Sequence, residues 1–171
     1  ANGDWILPRM FRDEVLQMLV EPLPDLCISR PKNRVGLGVE LPFDSEYVTY
    51  VWFDALTNYI NGIGFPDGEN FKKYWPCDLH VIGKDITRFH CIIWPAILMG
   101  ADIPLPKRVH AHGFVYLSGE KISKSGKRLD PGKVADRFGG DALRYFLMRE
   151  ISFDHDGDFT LEKFAERYNG E

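Results

Sequence analysis

The sequence lacks any apolar run that approaches the roughly 20 residues of a membrane-spanning helix. It also lacks the basic-then-apolar stretch that is typical of a signal peptide. Its three cysteines are odd in number and none belongs to a Cys-x-x-Cys pair, which argues against a disulfide framework and against a zinc site in this segment. We therefore expect a reduced, cytoplasmic protein with no membrane partner.

Strong net charge is also missing. The 171 residues carry 21 Lys/Arg against 25 Asp/Glu, a net charge of −4, which argues against a protein that binds nucleic acid through overall positive charge. Residues 119–150 nevertheless hold eight Lys/Arg against five Asp/Glu, whereas residues 151–171 hold two against six. With 44% hydrophobic and 13% aromatic residues, the chain has enough apolar material for one packed domain, with at most a small appendage.

Strand-like and helix-like segments alternate along the chain. Runs rich in β-branched and aromatic residues predict buried strands, and prolines, glycines and capping residues mark the helices between them. This alternation predicts an α/β fold: a partial, Rossmann-like parallel sheet with covering helices, followed by a small, mainly helical region. The predicted strands are 47–53, 78–82 and 109–115, with a short one at 25–30, and the predicted helices are 9–20, 54–60, 83–99, 130–139, 141–150 and 161–168.

Two polar segments lie where such a sheet binds ligands. Parallel sheets bind ligands at the carboxyl ends of their strands, where the strand order switches. Trp52-Phe53-Asp54 and Gly83-Lys84-Asp85 follow two of the predicted strands. Because only three or four strands are predicted, the chain is expected to be half of a larger nucleotide-binding domain.

The segment 119–128 crowds four cationic side chains among serines and glycines, as a polar loop that contacts a polyanion would. Residues 121–125 read Lys-Ile-Ser-Lys-Ser and resemble the Lys-Met-Ser-Lys-Ser signature of class I aminoacyl-tRNA synthetases, with Ile122 in the Met position. In that family the loop holds the triphosphate of ATP during amino-acid activation. The alternative interpretation is a solvated basic surface.

Two further stretches narrow the resemblance. Residues 50–59 contain Trp-Phe-Asp-Ala, and residues 83–96 contain Gly-Lys-Asp, Phe-His and Trp-Pro in that order. Together with the lysine loop they resemble the methionyl-tRNA synthetase family, and Ile-Ser-Arg-Pro-Lys at 28–32 is similar to its bacterial form. The resemblance extends from about Leu26 to Tyr168.

The resemblance implies a pocket for the methionine side chain. A thioether suits an aromatic cage, because each sulfur–aromatic contact contributes about 0.3–1.5 kcal/mol. Three aromatic positions and three other positions match the pocket of the family. They are Trp52, Tyr59 and Trp94, with Ala55, Leu56 and His90.

The resemblance also implies an ATP site. The positions that match the adenylate contacts are Glu40, Gly83 and Asp85 on the ribose side and Val115 at the adenine edge. Lys124 matches the residue that contacts the triphosphate, and Lys121 is expected to assist it in catalysis. The implied substrates and partners are ATP with Mg²⁺, methionine and tRNA(Met).

The chain departs from the family in one respect. The His-Ile-Gly-His signature is absent, and His110-Ala-His-Gly has the wrong spacing and position to replace it. We also predict no metal site at His110 and His112, since no third ligand is evident. The chain is therefore expected to be a fragment, inactive alone, without the N-terminal half of the catalytic domain, the zinc-bearing insertion and the anticodon-binding domain. The expected divisions are a linker and helix from the end of the insertion (1–24), the C-terminal half of the catalytic domain (25–118), and the loop with the stem-contact region (119–171).

Two alternatives remain open from the sequence. Synthetases for valine, isoleucine or leucine share the lysine loop, although an aliphatic substrate does not need an aromatic cage around Trp52 and Trp94. A non-catalytic module that binds nucleotide or tRNA would also fit a chain without the His-Ile-Gly-His signature.

Overall fold

The computed structural model describes residues 3–122 and 130–170. Within these residues, nine strands form three sheets of three strands each. The strands are β1 (Ile6–Leu7), β2 (Ser29–Pro31), β3 (Glu40–Leu41), β4 (Asp44–Thr49), β5 (His80–Gly83), β6 (Val109–His112), β7 (Val115–Leu117), β8 (Glu120–Lys121) and β9 (Gly157–Phe159). The α-helices are α1 (Arg9–Met18), α2 (Val51–Asn61), α3 (Glu69–Tyr74), α4 (Trp94–Gly100), α5 (Pro131–Phe138), α6 (Gly140–Glu150) and α7 (Leu161–Gly170).

The parallel sheet has the order β1-β6-β5, which confirms the mixed α/β fold with a parallel sheet and helices. Its two longer strands are the ones predicted near 78–82 and 109–115. The helix predicted at 9–20 is α1, but it is Phe11 and Val15 that it buries against the sheet. Met10 and Met18 on the same helix are both 43% exposed.

The strand predicted at 47–53 is wrong in extent and in position. Strand β4 ends at Thr49, α2 begins at Val51, and β4 pairs antiparallel with β2 and β3 outside the parallel sheet. Of its six residues only Val48 is buried. The apolar positions Trp52, Leu56 and Ile60 repeat every four residues, and this helical period decides the structure of the segment that follows.

The remaining differences concern the ends of elements. The strand predicted at 25–30 is only Ser29–Pro31, and α2 begins at Val51, three residues before the predicted helix at 54–60, with Tyr50 as its N-cap. The helix predicted at 83–99 begins as a 3₁₀ turn and then widens into a π-helical segment, Phe89–Ile93, before α4. The π segment leads into the first turn of α4, which contains Pro95. Proline has no backbone N–H to donate, so it interrupts the regular helical hydrogen bonding there.

The C-terminal part packs its helices on the third sheet, whose order is β8-β7-β9. Helices α5, α6 and α7 confirm the three predicted there, and Asp130 caps α5 by accepting from the backbone N–H of Gly132. Strand β9 was not predicted. The single strand expected near 109–115 is two strands, because the chain turns out of the parallel sheet at Gly113.

Candidate active site

Four of the six positions expected to hold methionine lie against one another. The ring centroids of Tyr59 and His90 are 5.6 Å apart, those of Tyr59 and Trp94 are 6.2 Å apart, and those of Trp52 and His90 are also 6.2 Å apart. Helix α2 supplies Trp52 and Tyr59, and the π segment with α4 supplies the other two. We call these four side chains the aromatic cage.

Burial varies across the cage and its neighbours. Trp94 is completely buried, and His90 and Leu56 are each 1% exposed. Tyr59 is 38% exposed, and Ala55 is also exposed. The cage therefore has a packed floor and an open rim, as a site that admits a small apolar side chain requires.

Both ring nitrogens of His90 are hydrogen bonded. Its Nδ1 lies 3.0 Å from the carbonyl oxygen of Ile86, and its Nε2 lies 2.8 Å from the hydroxyl of Tyr59. A carbonyl only accepts, so Nδ1 carries the proton and Nε2 accepts from the tyrosine. Burial lowers the pKa of His90 below its ordinary value, so the ring is neutral at pH 7.

His80 belongs to this cluster although sequence reasoning missed it. Its ring centroid is 4.4 Å from that of Tyr59, and its Nε2 accepts the indole N–H of Trp94 at 3.3 Å. Burial, with a smaller contribution from His90, lowers the pKa of His80 to about 4. A lone histidine in a buried strand gives no signal by itself. The signal was indirect: a buried indole needs a hydrogen-bond acceptor.

Phe89 is a second residue that sequence reasoning missed. Its ring stacks on Trp52 with centroids 4.0 Å apart and an interplanar angle of 11°. Because Trp52 is only half-buried, this stacking fixes the indole at the rim where packing alone would leave it mobile.

Gly83 and Asp85 lie together at the carboxyl end of β5. A Cβ at position 83 would be 2.8 Å from Oδ1 of Asp85, so any other residue there would push this carboxylate away from the strand end. Asp85 is exposed and available to hydroxyl donors. The strand-end position fits the ligand site that the sheet-end rule predicted, while the contact of Asp85 with ribose stays a prediction from the resemblance.

The other expected nucleotide residues lie on different elements. Glu40 is on β3 in the antiparallel sheet, where its carboxylate forms an ion pair with Lys32 at 2.6 Å. No hydrogen bond or ion pair among the described residues joins it to Gly83 or Asp85. Val115 is on β7, half-buried, and pairs with Gly157 of β9.

The structure says little about the two lysines that are expected to take part in catalysis. Lys124 lies outside the described residues. Lys121 is on β8, opposite Tyr116 of β7, but its side chain is not among those described. Their roles stay predictions.

The described residues contain neither a metal-ligand cluster nor a membrane-spanning helix. Across residues 3–122 and 130–170, no group of three or more His, Cys, Asp or Glu is arranged to hold a metal ion. In the same residues, no helix combines the length and the apolar character needed to cross a membrane.

The α/β fold, the exposed carboxylate at a strand end and the aromatic cage together resemble part of a class I aminoacyl-tRNA synthetase. The chain belongs to the family described as tRNA synthetases class I (M), whose model matches residues 2–171.

Curated relatives agree with this assignment. The chain is 49% identical over its whole length to a methionine–tRNA ligase of Rickettsia felis. Over 99% of its length it is 50% identical to one of Mycobacterium bovis. It spans only about a third of these relatives, 33% of each. Both are named for methionine, which does not favour the valine, isoleucine or leucine alternative.

Solved structures give the same result. The chain resembles Mycobacterium tuberculosis methionyl-tRNA synthetase bound by methionyl-adenylate, with a TM-score of 0.91 and 46% identity over 98% of this chain and 33% of that one. Against the apo form of that enzyme the TM-score is 0.84.

Proposed function

We propose that this chain is part of a cytoplasmic methionine–tRNA ligase. The complete protein activates methionine with ATP and transfers it to tRNA(Met). The chain itself supplies the methionine pocket, one side of the adenylate site and the lysine loop, and it is inactive alone. The aromatic cage carries this proposal, because a rim of Trp52 and Tyr59 over a floor of His90 and Trp94 suits a thioether better than a branched aliphatic group.

The neutral state of His90 supports the choice of methionine. A protonated imidazole in the cage would favour an anionic ligand, whereas a neutral ring bonded to Ile86 and Tyr59 offers an apolar and polarizable wall. The relatives named for methionine and the neighbour that holds methionyl-adenylate support the same substrate.

The proposed chemistry is displacement at the α-phosphate of ATP. A methionine carboxylate oxygen attacks the α-phosphorus, the bond to the bridging oxygen breaks, and pyrophosphate leaves with its electron pair. Asp85 and Glu40 accept from ribose hydroxyls, and Val115 borders the adenine. Lys124, assisted by Lys121, stabilises the charge that grows on the leaving pyrophosphate.

Mg²⁺ is expected to arrive with the triphosphate rather than from a site on this segment. The described residues contain no ready-made cluster of metal ligands, and Mg²⁺ in phosphoryl-transfer sites is usually held largely by substrate phosphates and water. In the second step of the proposed reaction, a terminal hydroxyl of tRNA(Met) attacks the acyl carbon of methionyl-adenylate and AMP leaves.

The test is amino-acid-dependent pyrophosphate exchange by the full-length protein with methionine, valine, isoleucine and leucine. We expect exchange with methionine, and a rise in its KM when Trp52→Ala removes the half-buried rim ring. The loss should be about 2 kcal/mol, or roughly 30-fold in KM, since a fully buried aromatic would cost more.

The matched control is Phe43→Ala, which truncates an aromatic residue that is 79% exposed. It should leave the KM for methionine and the KM for ATP unchanged. Faster exchange with an aliphatic amino acid would overturn the assignment to methionine. A full-length protein that binds ATP but exchanges with none of the four would be a binding module instead.

A further inference from the structure

We propose that Asp156 is a positioning residue that holds the ribose side and the adenine edge of the nucleotide site in fixed register. The inference rests on the proposed function, because it takes Gly83, Asp85 and Val115 as adenylate contacts. Asp156 itself follows α6 in an acidic stretch that, from sequence alone, would be taken for a solvated surface.

One carboxylate reaches both sides of the site. The ammonium of Lys84 lies 2.8 Å from Oδ1 and 2.9 Å from Oδ2 of Asp156. The backbone N–H of Phe114 donates to Oδ1 at 2.8 Å. These are charge-assisted hydrogen bonds, roughly twice as strong as neutral ones. The Lys84 ammonium also lies 5.0 Å from the centroid of the Phe114 ring, close enough for cation–π attraction.

The two partners of Asp156 are direct neighbours of the expected adenylate contacts. Lys84 stands between Gly83 and Asp85 at the end of β5, and Phe114 immediately precedes Val115 of β7. These strands belong to different sheets, since the chain leaves the parallel sheet between β6 and β7. The Asp156 carboxylate is therefore a brace across the point where the two sheets diverge.

The surrounding backbone fixes the brace. A Cβ at Gly113 would lie 2.1 Å from the carbonyl oxygen of His155, so the two backbones meet at a distance that only glycine allows. The N–H of Gly157 donates to the carbonyl oxygen of Phe114 at 2.9 Å, and β7 and β9 continue as a parallel pair from there. Asp156 is thus held by the residues on both sides of it.

The pair lies at the surface, with side-chain exposures of 32% for Lys84 and 31% for Asp156. Because these side chains are less exposed than those of a fully solvated pair, solvent screens their ion pair less, and its loss should be measurable. Lys107 and Asp78 form a matched control, because their Nζ–Oδ1 distance is 2.6 Å but their side chains are 61% and 88% exposed.

The test measures ATP binding and pyrophosphate exchange by the full-length protein. Asp156→Asn keeps an acceptor for the Phe114 N–H but removes the charge that Lys84 needs, and Lys84→Met removes the other partner. Each is expected to raise the Kd and KM for ATP about tenfold, with the KM for methionine changed by less than about twofold. Lys84→Arg, which keeps the charge, should restore most of the ATP affinity.

Combining the two changes separates positioning from a general structural effect. The double variant should bind ATP no more weakly than either single variant, because both break the same brace. Asp78→Asn should leave ATP binding unchanged. Additive losses, equal rises in both KM values, or a lower unfolding temperature with unchanged ATP affinity would each overturn the inference.

The ATP-binding measurement also separates this inference from the proposed function. If Asp156→Asn weakens ATP binding but the wild-type protein activates no methionine, the brace stands and the assignment to methionine fails. If the wild type activates methionine but ATP affinity does not depend on Asp156 or Lys84, the assignment to methionine stands and the brace is refuted.

Discussion

The hydrogen bond between Tyr59 and His90 offers a sharp test of the cage, because Tyr59→Phe removes one oxygen atom and little else. The hydroxyl lies 2.8 Å from Nε2 of His90, while Nδ1 is already bonded to the carbonyl of Ile86. His90 is 1% exposed, so water reaches Nε2 only through the space that the hydroxyl vacates. The variant therefore leaves a buried acceptor without its partner.

The expected loss of methionine affinity follows from the missing hydrogen bond to Nε2 of His90. A buried polar group left without a hydrogen bond costs about 1–3 kcal/mol. Tyr59 is 38% exposed, so solvent can partly replace its hydroxyl and the lower half of the range applies. A loss of about 1–2 kcal/mol corresponds to a rise of roughly 5- to 30-fold in the KM for methionine. ATP contacts none of these atoms in the proposed arrangement, so its KM should stay within about twofold.

The assay is pyrophosphate exchange by the full-length protein, with methionine and ATP varied separately. Tyr74→Phe is the control, because Tyr74 lies on the nearby α3 with 53% of its surface exposed and should be insensitive. An unchanged methionine KM in Tyr59→Phe would refute the argument that this hydroxyl shapes the pocket. Equal rises for methionine and ATP would show a general loss of structure instead.

Two further predictions concern charge. Lys124→Ala in the full-length protein should slow adenylate formation about 10²–10³-fold, because a lysine near 4 Å from a phosphate is worth about 4 kcal/mol at an effective dielectric of 20. Lys127→Ala should cost much less and depend on salt, so equal small losses in exchange assays at two salt concentrations would identify the loop as a solvated basic surface. His80, whose folded pKa is about 4 against an ordinary 6.5, favours the folded state only while neutral. Its contribution should be complete above pH 6.5 and fall by about 2 kcal/mol on going to pH 5. Unfolding midpoints at both pH values should show a smaller shift for His80→Gln than for wild type.

The parts of the fold that were predicted correctly are those marked by local chemistry. Asp130 and Pro131 together mark a helix start, and Gly139 with Gly140 marks its end, because capping and φ preference act within a few residues. Strand β6 lies at the centre of the parallel sheet and β5 at its edge, and each buries alternate residues: Val109 and Ala111 in β6, His80 and Ile82 in β5.

The segment 47–53 was misassigned because two patterns overlap in it. Aromatic and β-branched residues favour a strand, whereas Trp52, Leu56 and Ile60 repeat with a helical period that becomes visible only when the window extends past 53. Tertiary contact decides the outcome, since Leu56 and Ile60 pack in one buried cluster with Trp94. The short strands β1 and β9 have two and three residues and depend on pairing with distant partners, which no local pattern reports.

The residues of the candidate site also fall into two groups, those that the sequence predicted and those that it missed. Motif resemblance identified Trp52, Tyr59, His90 and Trp94, and the structure brings these four into contact, although their role in binding methionine stays a prediction. His80, Phe89 and Asp156 were missed because each acts through a neighbour that the fold supplies: an indole N–H, an aromatic face, and a lysine with a backbone amide.

The cage is also part of the hydrophobic core, and this limits how its specificity can change. Trp94 and Leu56 belong to the buried cluster that holds α2 against α4, so emptying the floor of the pocket removes core packing. Truncating a buried aromatic costs about 3–5 kcal/mol, which is a large share of the roughly 5–15 kcal/mol that keeps a domain folded. A floor variant such as Trp94→Ala would therefore lose the fold along with the ligand. Substitutions at the exposed rim, Tyr59 and Ala55, can alter the pocket while the floor stays packed, so selectivity among amino acids should be tuned from the rim.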